Sequence, residues 1–376
     1  MSTNNNLSDQ NVSEKLSDFK ENIQIDEKIS IGLDIGSSNL KMVEIKRSHA
    51  KPNNNQSIAE GSYNTYELLT YGLYKHNINI DSYWDEGKVN NFAEIVLNIY
   101  KSAGFTGSEV TVALPAKYIY VGTMDFEISW DKQMIQAEIV RQSKFFLPYP
   151  PDEMRLSWNI INADTSVSSL TGKQRVVINA VPKFVIENIT NLLARCQLQG
   201  VALENQTISL SRSLLGETKL STIIVDLGSN STNLSIIIDG SLRSTFNSMS
   251  GTNRLDTILS GSLGIPVEIA KSFKEDLGMV NLYELPKEFE DHIAIVKKDL
   301  KAFIDQNIKI AQIPEQIIIT GGGVYTAGIL SKLQDLGVHV YEGKISSNLK
   351  FDEYKLKSFS PLKHLLTTAV GLGMKS

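Results

Sequence analysis

Apolar and polar positions fall into short alternating blocks from about residue 29 onward. Ile29 to Arg47 (ISIGLDIGSSNLKMVEIKR) opens as an apolar strand, breaks at a Gly-Ser turn and resumes as a strand through Leu40, Met42, Val43 and Ile45. Ser48 to Gln56 reads as a loop by composition, and Tyr63 to Leu73 as another strand. Val89 to Lys101 carries helical periodicity on Phe92, Ile95, Val96 and Ile99, and Gly104 and Gly107 close that unit. Val110 to Pro115 predicts a strand, Trp130 to Phe146 a helix, and Phe146 to Met154 a proline-dense turn. SWNIIN and RVVINAV predict two strands around a Ser/Thr/Gly hairpin at Asp164 to Gly172. Pro182 to Gly200 predicts a helix with proline near its start and glycine at its end. This β, α, β, β, α order suggests a small α/β module of about 80 residues. A second strand–turn–strand cycle spans Ser221 to Ser244, a third glycine turn lies in Glu315 to Gly337, and PLKHLLTTAVGLG predicts a closing helix.

Residues 1–28 break this pattern. They are rich in Asn, Ser, Asp, Glu and Lys, as a disordered tail would be. Val12, Leu16, Phe19 and Ile23 nevertheless follow helical spacing, which also suits an amphipathic segment docking on a partner. The first residues have neither a basic start nor an apolar core, so they do not read as a secretory signal. No run of 18 apolar residues predicts a membrane span.

Composition adds limits. With 376 residues, 41% hydrophobic and 21% charged, the chain is of ordinary globular composition and long enough for two or three domains. A net charge of −5 supplies no basic face, so no nucleic-acid partner is expected. Cys196 is the single cysteine, which excludes an intramolecular disulfide and a cysteine zinc site. It reads as a small buried hydrophobe, and a reducing cytoplasm is the expected compartment.

Two segments carry candidate chemistry. IGLDIGSSNLKMVEI and IIVDLGSNSTNLSII share one plan: apolar run, Asp, apolar residue, Gly, Ser, polar residues, strand. Asp34 and Asp226 end their strands. The turns after them expose backbone N–H groups to an anion, because glycine leaves room and permits the conformation. Two such turns would grip a polyphosphate from opposite sides. The two carboxylates would then face a Mg²⁺ held through its waters. TGGGVYTAGIL adds three glycines between a strand and a helix, where backbone can approach a flat ligand such as adenine with its ribose.

These three elements resemble the ATP-binding superfamily of actins, heat-shock chaperones and sugar kinases. The resemblance implies an α/β, actin-like (ribonuclease H-like) fold of two domains with ATP or ADP and Mg²⁺ between them. Carried onto this chain, it implies a first phosphate loop at Gly36, Ser37, Ser38, Asn39 and Lys41. The second phosphate loop falls at Gly228, Ser229, Ser231, Thr232 and Asn233, and the metal contacts at Asp34 and Asp226. Gly321, Gly322, Gly323 and Val324 fall on the adenosine loop, and Gly251 and Asn253 on a loop near the ribose and phosphates. Lys298, with Ile295, falls on a helix that usually carries Glu and Arg, so one ribose or base contact is in doubt. Glu204 and Gln206 occupy the stretch that positions the hydrolytic water. Gln206 can orient water through its amide but is a poor base, and a polar residue at that place more often caps the connecting helix.

The module at about 108–186 is similar to the extra subdomain shared by FtsA and PilM. GLDIGSSNLKMVEI, VTVALP, KFFLPYPPDEMRLSWNII, VVINAVPK, LGSNSTNLSIIIDGSL and SPLKHLLTTAVGLGM carry the likeness, which favours the PilM family of type IV pilus assembly proteins. The resemblance implies a domain plan: tail 1–28; first domain 29–107 with 187–220 and 350–376; inserted FtsA/PilM-type subdomain 108–186; second domain 221–349. It further implies a cytoplasmic ATP-binding scaffold of the inner-membrane pilus platform, at most a slow ATPase. Gln206 departs from the acidic residue that the PilM pattern often shows at its place. Its partner would be the cytoplasmic N-terminal tail of a PilN-like bitopic protein, with other platform components possible. It would reach the membrane only through partners, as a monomer or weak self-associator. Phe145, Phe146, Tyr149 and Pro150 are candidates for the tail groove, or pack the helix end onto its own sheet. An FtsA-like polymerising membrane tether and a sugar-kinase-like phosphotransferase are the alternatives.

Overall fold

The computed structural model describes residues 23–52, 63–76, 78, 85–161, 172–276, 286–308, 314–334, 336–346 and 348–375. In chain order the first half contains β1 (Ile23–Ile35), β2 (Asn39–Pro52), β3 (Tyr63–Lys75), α1 (Glu86–Ser102), β4 (Glu109–Leu114), β5 (Tyr120–Glu127), α2 (Lys132–Phe146), β6 (Met154–Ile161), β7 (Lys173–Pro182), α3 (Lys183–Arg195) and β8 (Gln199–Asn205). Then come α4 (Gln206–Leu215), β9 (Thr222–Leu227), β10 (Thr232–Ile238), β11 (Ser241–Ser248), α5 (Asn253–Leu263), α6 (Val267–Asp276) and α7 (Lys287–Ile308). β12 (Gln316–Thr320), α8 (Ile329–Lys332), β13 (His339–Glu342), β14 (Leu349–Lys350), α9 (Glu353–Phe359) and α10 (Lys363–Gly373) complete the chain.

Among the described residues these strands form three sheets, in the orders β14-β3-β2-β1-β4-β8, β11-β10-β9-β12-β13 and β5-β7-β6. In the first, Ile31 and Leu33 of β1 and Val110 and Val112 of β4 meet Phe92, Val96 and Ile99 of α1 and Ile189 and Leu192 of α3. Val43 and Ile45 of β2 meet Leu366, Ala369 and Val370 of α10. In the second, Val225 and Leu234 pack on Leu255, Phe289, Val296 and Leu300. Leu210 and Leu214 of α4 cover its other face through Ile224 and Ile237. The small sheet closes over Ile135 and Ile139 of α2.

α4 and α10 lie back to back between the two large sheets. Their approach requires glycine: a side chain at Gly371 would overlap the Ser209 backbone, and one at Gly32 would overlap the Ala369 carbonyl of α10. Arg212 Nη1 donates to the Gly371 carbonyl, and the Thr320 hydroxyl reaches that of Thr367 at 3.3 Å. This helix pair joins the two large sheets.

Several boundaries differ from the sequence reading. β1 begins at Ile23, not Ile29, and β2 runs on to Pro52 through the expected loop, because Ile23–Lys28 pairs antiparallel with Arg47–Pro52. In the β1 extension Ile23 and Ile25 keep the alternation of Ile29, Ile31 and Leu33, but Glu27 interrupts it. The rest of the expected tail helix and the 162–171 hairpin lie outside the described residues. The helix expected over 182–200 stops at Arg195, and β8 follows it. β4 and α3, read as parts of the small module, belong to the first sheet and its core. The third strand of the small sheet is β5, which the sequence reading did not mark.

Candidate functional site

The strands β1, β4 and β8 are mutually parallel, as are β9 and β12. Sheets of this kind leave a crevice beyond the C-terminal ends of their strands. Both Gly-Ser turns open there. In the first, the Gly36 N–H donates to the Asn39 carbonyl at 3.0 Å; in the second, the Gly228 N–H donates to the Ser231 carbonyl at 3.0 Å. The register repeats as well: Asp34 stands opposite Lys41 in β1–β2, and Asp226 opposite Asn233 in β9–β10. The two turns are one structure used twice.

Lys41 Nζ donates to Asp34 Oδ2 at 2.7 Å, with both side chains largely buried. Asp226 accepts from the Gln206 amide on its Oδ2. Gln206 is held there because it is the first residue of α4, whose N-cap is Asn205: its side chain accepts the Thr207 N–H at 2.9 Å. Burial pushes the Asp226 carboxyl up to about 6; Asp34 adds to the rise, while Lys41 and Gln206 oppose it.

The third glycine turn packs directly on the second. Gly321 has φ +88°, and a Cβ there would overlap Asp226 Oδ1 and come within 2.6 Å of the Leu227 carbonyl oxygen. A Cβ on Gly323 would come within 2.6 Å of Leu227 Cβ. From behind, the Thr252 and Asn253 N–H groups donate to the Gly228 and Ser229 carbonyls at 3.0 and 2.9 Å, and Asn253 Nδ2 donates to Asn230 Oδ1. The second turn is therefore fixed on both sides before any ligand arrives.

The cleft is open to solvent and has a cavity volume of about 130 Å³. Of the expected residues, Asp34, Gly36, Ser37, Ser38, Asn39 and Lys41 line one wall, with Gln206 beside them. Asp226, Gly228, Ser229, Ser231, Asn233, Gly321 and Gly322 line the other. The remainder lie elsewhere. Thr232 is buried, its hydroxyl donating to the Ser250 carbonyl at 2.6 Å. Gly251 and Asn253 brace the second turn, Gly323 and Val324 stand behind Gly321 and Gly322, and Lys298 is exposed on α7. Glu204 is displaced most. As a residue of β8 it is buried, both its oxygens accept from Arg212 at 2.8 and 2.9 Å, and Lys375 reaches it at 2.6 Å. Burial opposes its ionisation, yet Arg212 and Lys375 hold its pKa below the ordinary value.

Three parts of the wall were not foreseen. Pro115, Ala116 and Lys117 form the turn after β4; Asn247 lies near the end of β11 and Met249 just after it; His364, Leu365 and Thr368 project from α10. His364 is buried and bonds Glu342 at 2.8 Å; burial keeps its pKa below the ordinary value and so keeps it neutral. The turn after β4 was findable, since β4 runs parallel to β1, whose C-terminal end carries the first Gly-Ser turn.

The donor set fits a phosphate ligand and a loosely held divalent ion. Among the described residues no group of three or more His, Cys, Asp and Glu could cage a metal, but two carboxylates face the cleft from opposite walls. That suits Mg²⁺, which keeps several waters and shares phosphate oxygens.

The profile of type IV pilus assembly protein PilM matches residues 32–376. The chain belongs to the PilM family. A PilM–PilN type IV pilus biogenesis complex superposes with a TM-score of 0.74 at 16% identity, covering 92% of this chain and 97% of that one. The ethanolamine utilization protein EutJ from Carboxydothermus hydrogenoformans matches with a TM-score of 0.53 at 15% identity, covering 98% and 99%. MreB5 of Spiroplasma citri bound to ADP matches at 0.48 and 12% identity, covering 92% and 94%. The fold is actin-like, and the chain is a PilM-type pilus assembly protein. Among the described residues no helix is long and apolar enough to cross a membrane.

Proposed function

We propose that the cleft binds ATP or ADP with Mg²⁺, and that the nucleotide acts as a conformational ligand of a pilus-platform scaffold. The repeated turn carries this reading: two Gly-Ser hairpins with matched geometry face each other, each with a carboxylate at its base. The Gly36–Asn39 and Gly228–Ser231 turns would hold the phosphates through backbone N–H groups and hydroxyls. Asp34 and Asp226 would hold the waters of Mg²⁺, which supplies charge neutralisation of the phosphates. Gly321 and Gly322 would admit the adenosine.

Hydrolysis is slow at best in this account. A water must be oriented for attack. Gln206 can orient one by its amide but cannot take its proton, and that amide already bonds Asp226. Glu204 is committed to Arg212 and Lys375. A ligand that bridges both walls favours the closed arrangement of the α4–α10 joint, by as much as its affinity differs between states.

The partner is the extended N-terminal tail of a PilN-like bitopic protein, which would hold the chain at the cytoplasmic face of the inner membrane. Support comes from membership of the family and from the likeness to a PilM–PilN complex. Of the aromatic candidates, Phe145 is 74% exposed, while Phe146 stacks on Tyr120 and Tyr149 meets Phe184 edge-on. Phe145 is the most exposed of the aromatic candidates, and Tyr149 and Pro150 are exposed as well. Titrating a peptide of that tail, with and without MgATP, tests this: saturable binding is expected in at least one nucleotide state, and absence of binding in all of them contradicts it. Steady-state ATP turnover above about 1 s⁻¹, an ordinary enzyme rate, contradicts the conformational role.

A further inference from the structure

The repeat that builds the two Gly-Ser turns extends to a third strand. Asn39, the first residue of β2, stands opposite Lys75, the last of β3; Thr232, the first of β10, stands opposite Ser248, the last of β11. One residue further on, the two halves diverge. Met249 is 76% exposed on the cleft wall, and the second turn is braced instead by the Thr252 and Asn253 N–H groups. Its counterpart His76 is 6% exposed and packs against the first turn, where its own N–H donates to the Ser38 carbonyl at 3.0 Å.

The ring of His76 is set as well. Nδ1 accepts the Ile78 N–H at 3.2 Å, so the proton of the neutral ring sits on Nε2. Phe92 of α1 meets the ring edge-on at 5.3 Å. Burial pushes its pKa below the ordinary value, the Gly36 carbonyl opposes, and the Lys41 charge adds to the fall, so the ring stays neutral at physiological pH. Nε2 is buried and makes no hydrogen bond among the described residues. A buried N–H left without an acceptor is costly, and the Gly36 carbonyl is close enough to act on this ring.

We infer that His76 is a positioning residue for the first phosphate turn: when phosphate occupies the turn, the Nε2–H takes the Gly36 carbonyl, and His76 then holds two carbonyls of the first turn as Thr252 and Asn253 hold two of the second. This rests on the nucleotide reading above and adds how the first wall of the cleft is set. A peptide unit is planar and trans, so its carbonyl and the following N–H point in opposite directions. Holding the Gly36 and Ser38 carbonyls toward His76 turns the Ser37 and Asn39 N–H groups to the other side of the turn. Ser37 and Asn39 both line the cleft. Two aligned N–H groups favour an anion, and the anion in turn favours the arrangement that aligns them. The second turn is braced in advance; the first is completed by its ligand.

The test uses the full chain with ¹⁵N-labelled histidine. The chain has five histidines, and the His76 signals are assigned by their loss in His76→Gln. In the wild type MgADP is expected to shift the His76 Nε2 signal and to slow exchange of its proton with water. Adenosine, which carries no phosphate, is expected to change neither. His76→Phe keeps a ring against Phe92 and removes the donor; it is expected to weaken MgADP about tenfold with little change in thermal unfolding. His76→Gln supplies an amide N–H and is expected to recover affinity to within about threefold of the wild type. A His76 signal that stays in place while MgADP binds overturns the inference and leaves the nucleotide site intact. So does a folded His76→Phe that binds MgADP as tightly as the wild type, or a His76→Gln as weak as His76→Phe. Absence of MgADP binding to the wild type overturns the nucleotide reading and the inference with it. If His76→Phe does not fold, the wild-type spectra and His76→Gln decide alone.

Discussion

Gly321 lies against Asp226 so closely that the carboxylate occupies the space where a side chain at 321 would begin. Its φ of +88° with ψ of 170° also belongs to glycine alone. Gly321→Ala therefore strains the backbone and displaces Asp226 together. The expected cost is about 1–3 kcal/mol in stability, with loss of nucleotide binding. Thermal unfolding and a binding titration check this, and a stable variant of normal affinity would show that the third turn does not support the second.

Asp226 titrates near 6, because burial disfavours its charge. A raised carboxylate pKa means the fold binds a proton that the unfolded chain has released. Asp226 thus costs stability as pH rises from its ordinary value to about 6, and adds no further change above it. A divalent ion needs the ionised form. Mg²⁺-dependent nucleotide affinity should rise between about pH 5 and pH 7 and then level off. In Asp226→Asn that rise should vanish.

Glu204 serves the joint rather than the reaction. It ties Arg212 of α4 to Lys375 just beyond α10. Glu204→Gln should cost about 1–3 kcal/mol, less than a fully buried pair because both cations keep some exposure. The lowered Glu204 pKa sets the pH sense: its stabilisation is present above the ordinary glutamate value and is lost as pH falls below it. Nucleotide affinity measured beside denaturation should change less than about twofold; a selective loss of turnover in a stable Glu204→Gln would restore a catalytic role.

The hairpins at Asp34 and Asp226 were legible because an apolar strand broken by Gly-Ser and resumed as a strand has few other solutions, and the chain repeats it about 190 residues later. The family resemblance supplied the actin-like fold and the pilus context. What sequence hid has physical causes. At the start of β1 the polar run Asp26–Glu27–Lys28, with Asp26 and Glu27 exposed, interrupts the apolar alternation that Ile23 and Ile25 share with Ile29 and Ile31. Gly200 looks like a helix end, but it lies in β8, close against Leu193 of α3. Lys117 sits in no motif and reaches the cleft only because β4 ends there. Lys298 and Glu204 were placed by likeness to other chains; here Glu204 is buried in ion pairs with Arg212 and Lys375, and Lys298 is exposed on α7.

The central claim, a Mg²⁺-nucleotide gripped between the Asp34 and Asp226 turns, is tested most directly by calorimetric titration of ATP into the wild type and Asp34→Ala, each with Mg²⁺ and with EDTA. Removing Asp34 also releases Lys41, which can then meet phosphate directly, so affinity without metal should stay the same or rise. The account predicts one saturable site in the wild type, tightened by Mg²⁺, and no response to Mg²⁺ in Asp34→Ala. An Asp34→Ala variant that binds ATP as tightly as the wild type, with its Mg²⁺ dependence unchanged, would contradict the claim.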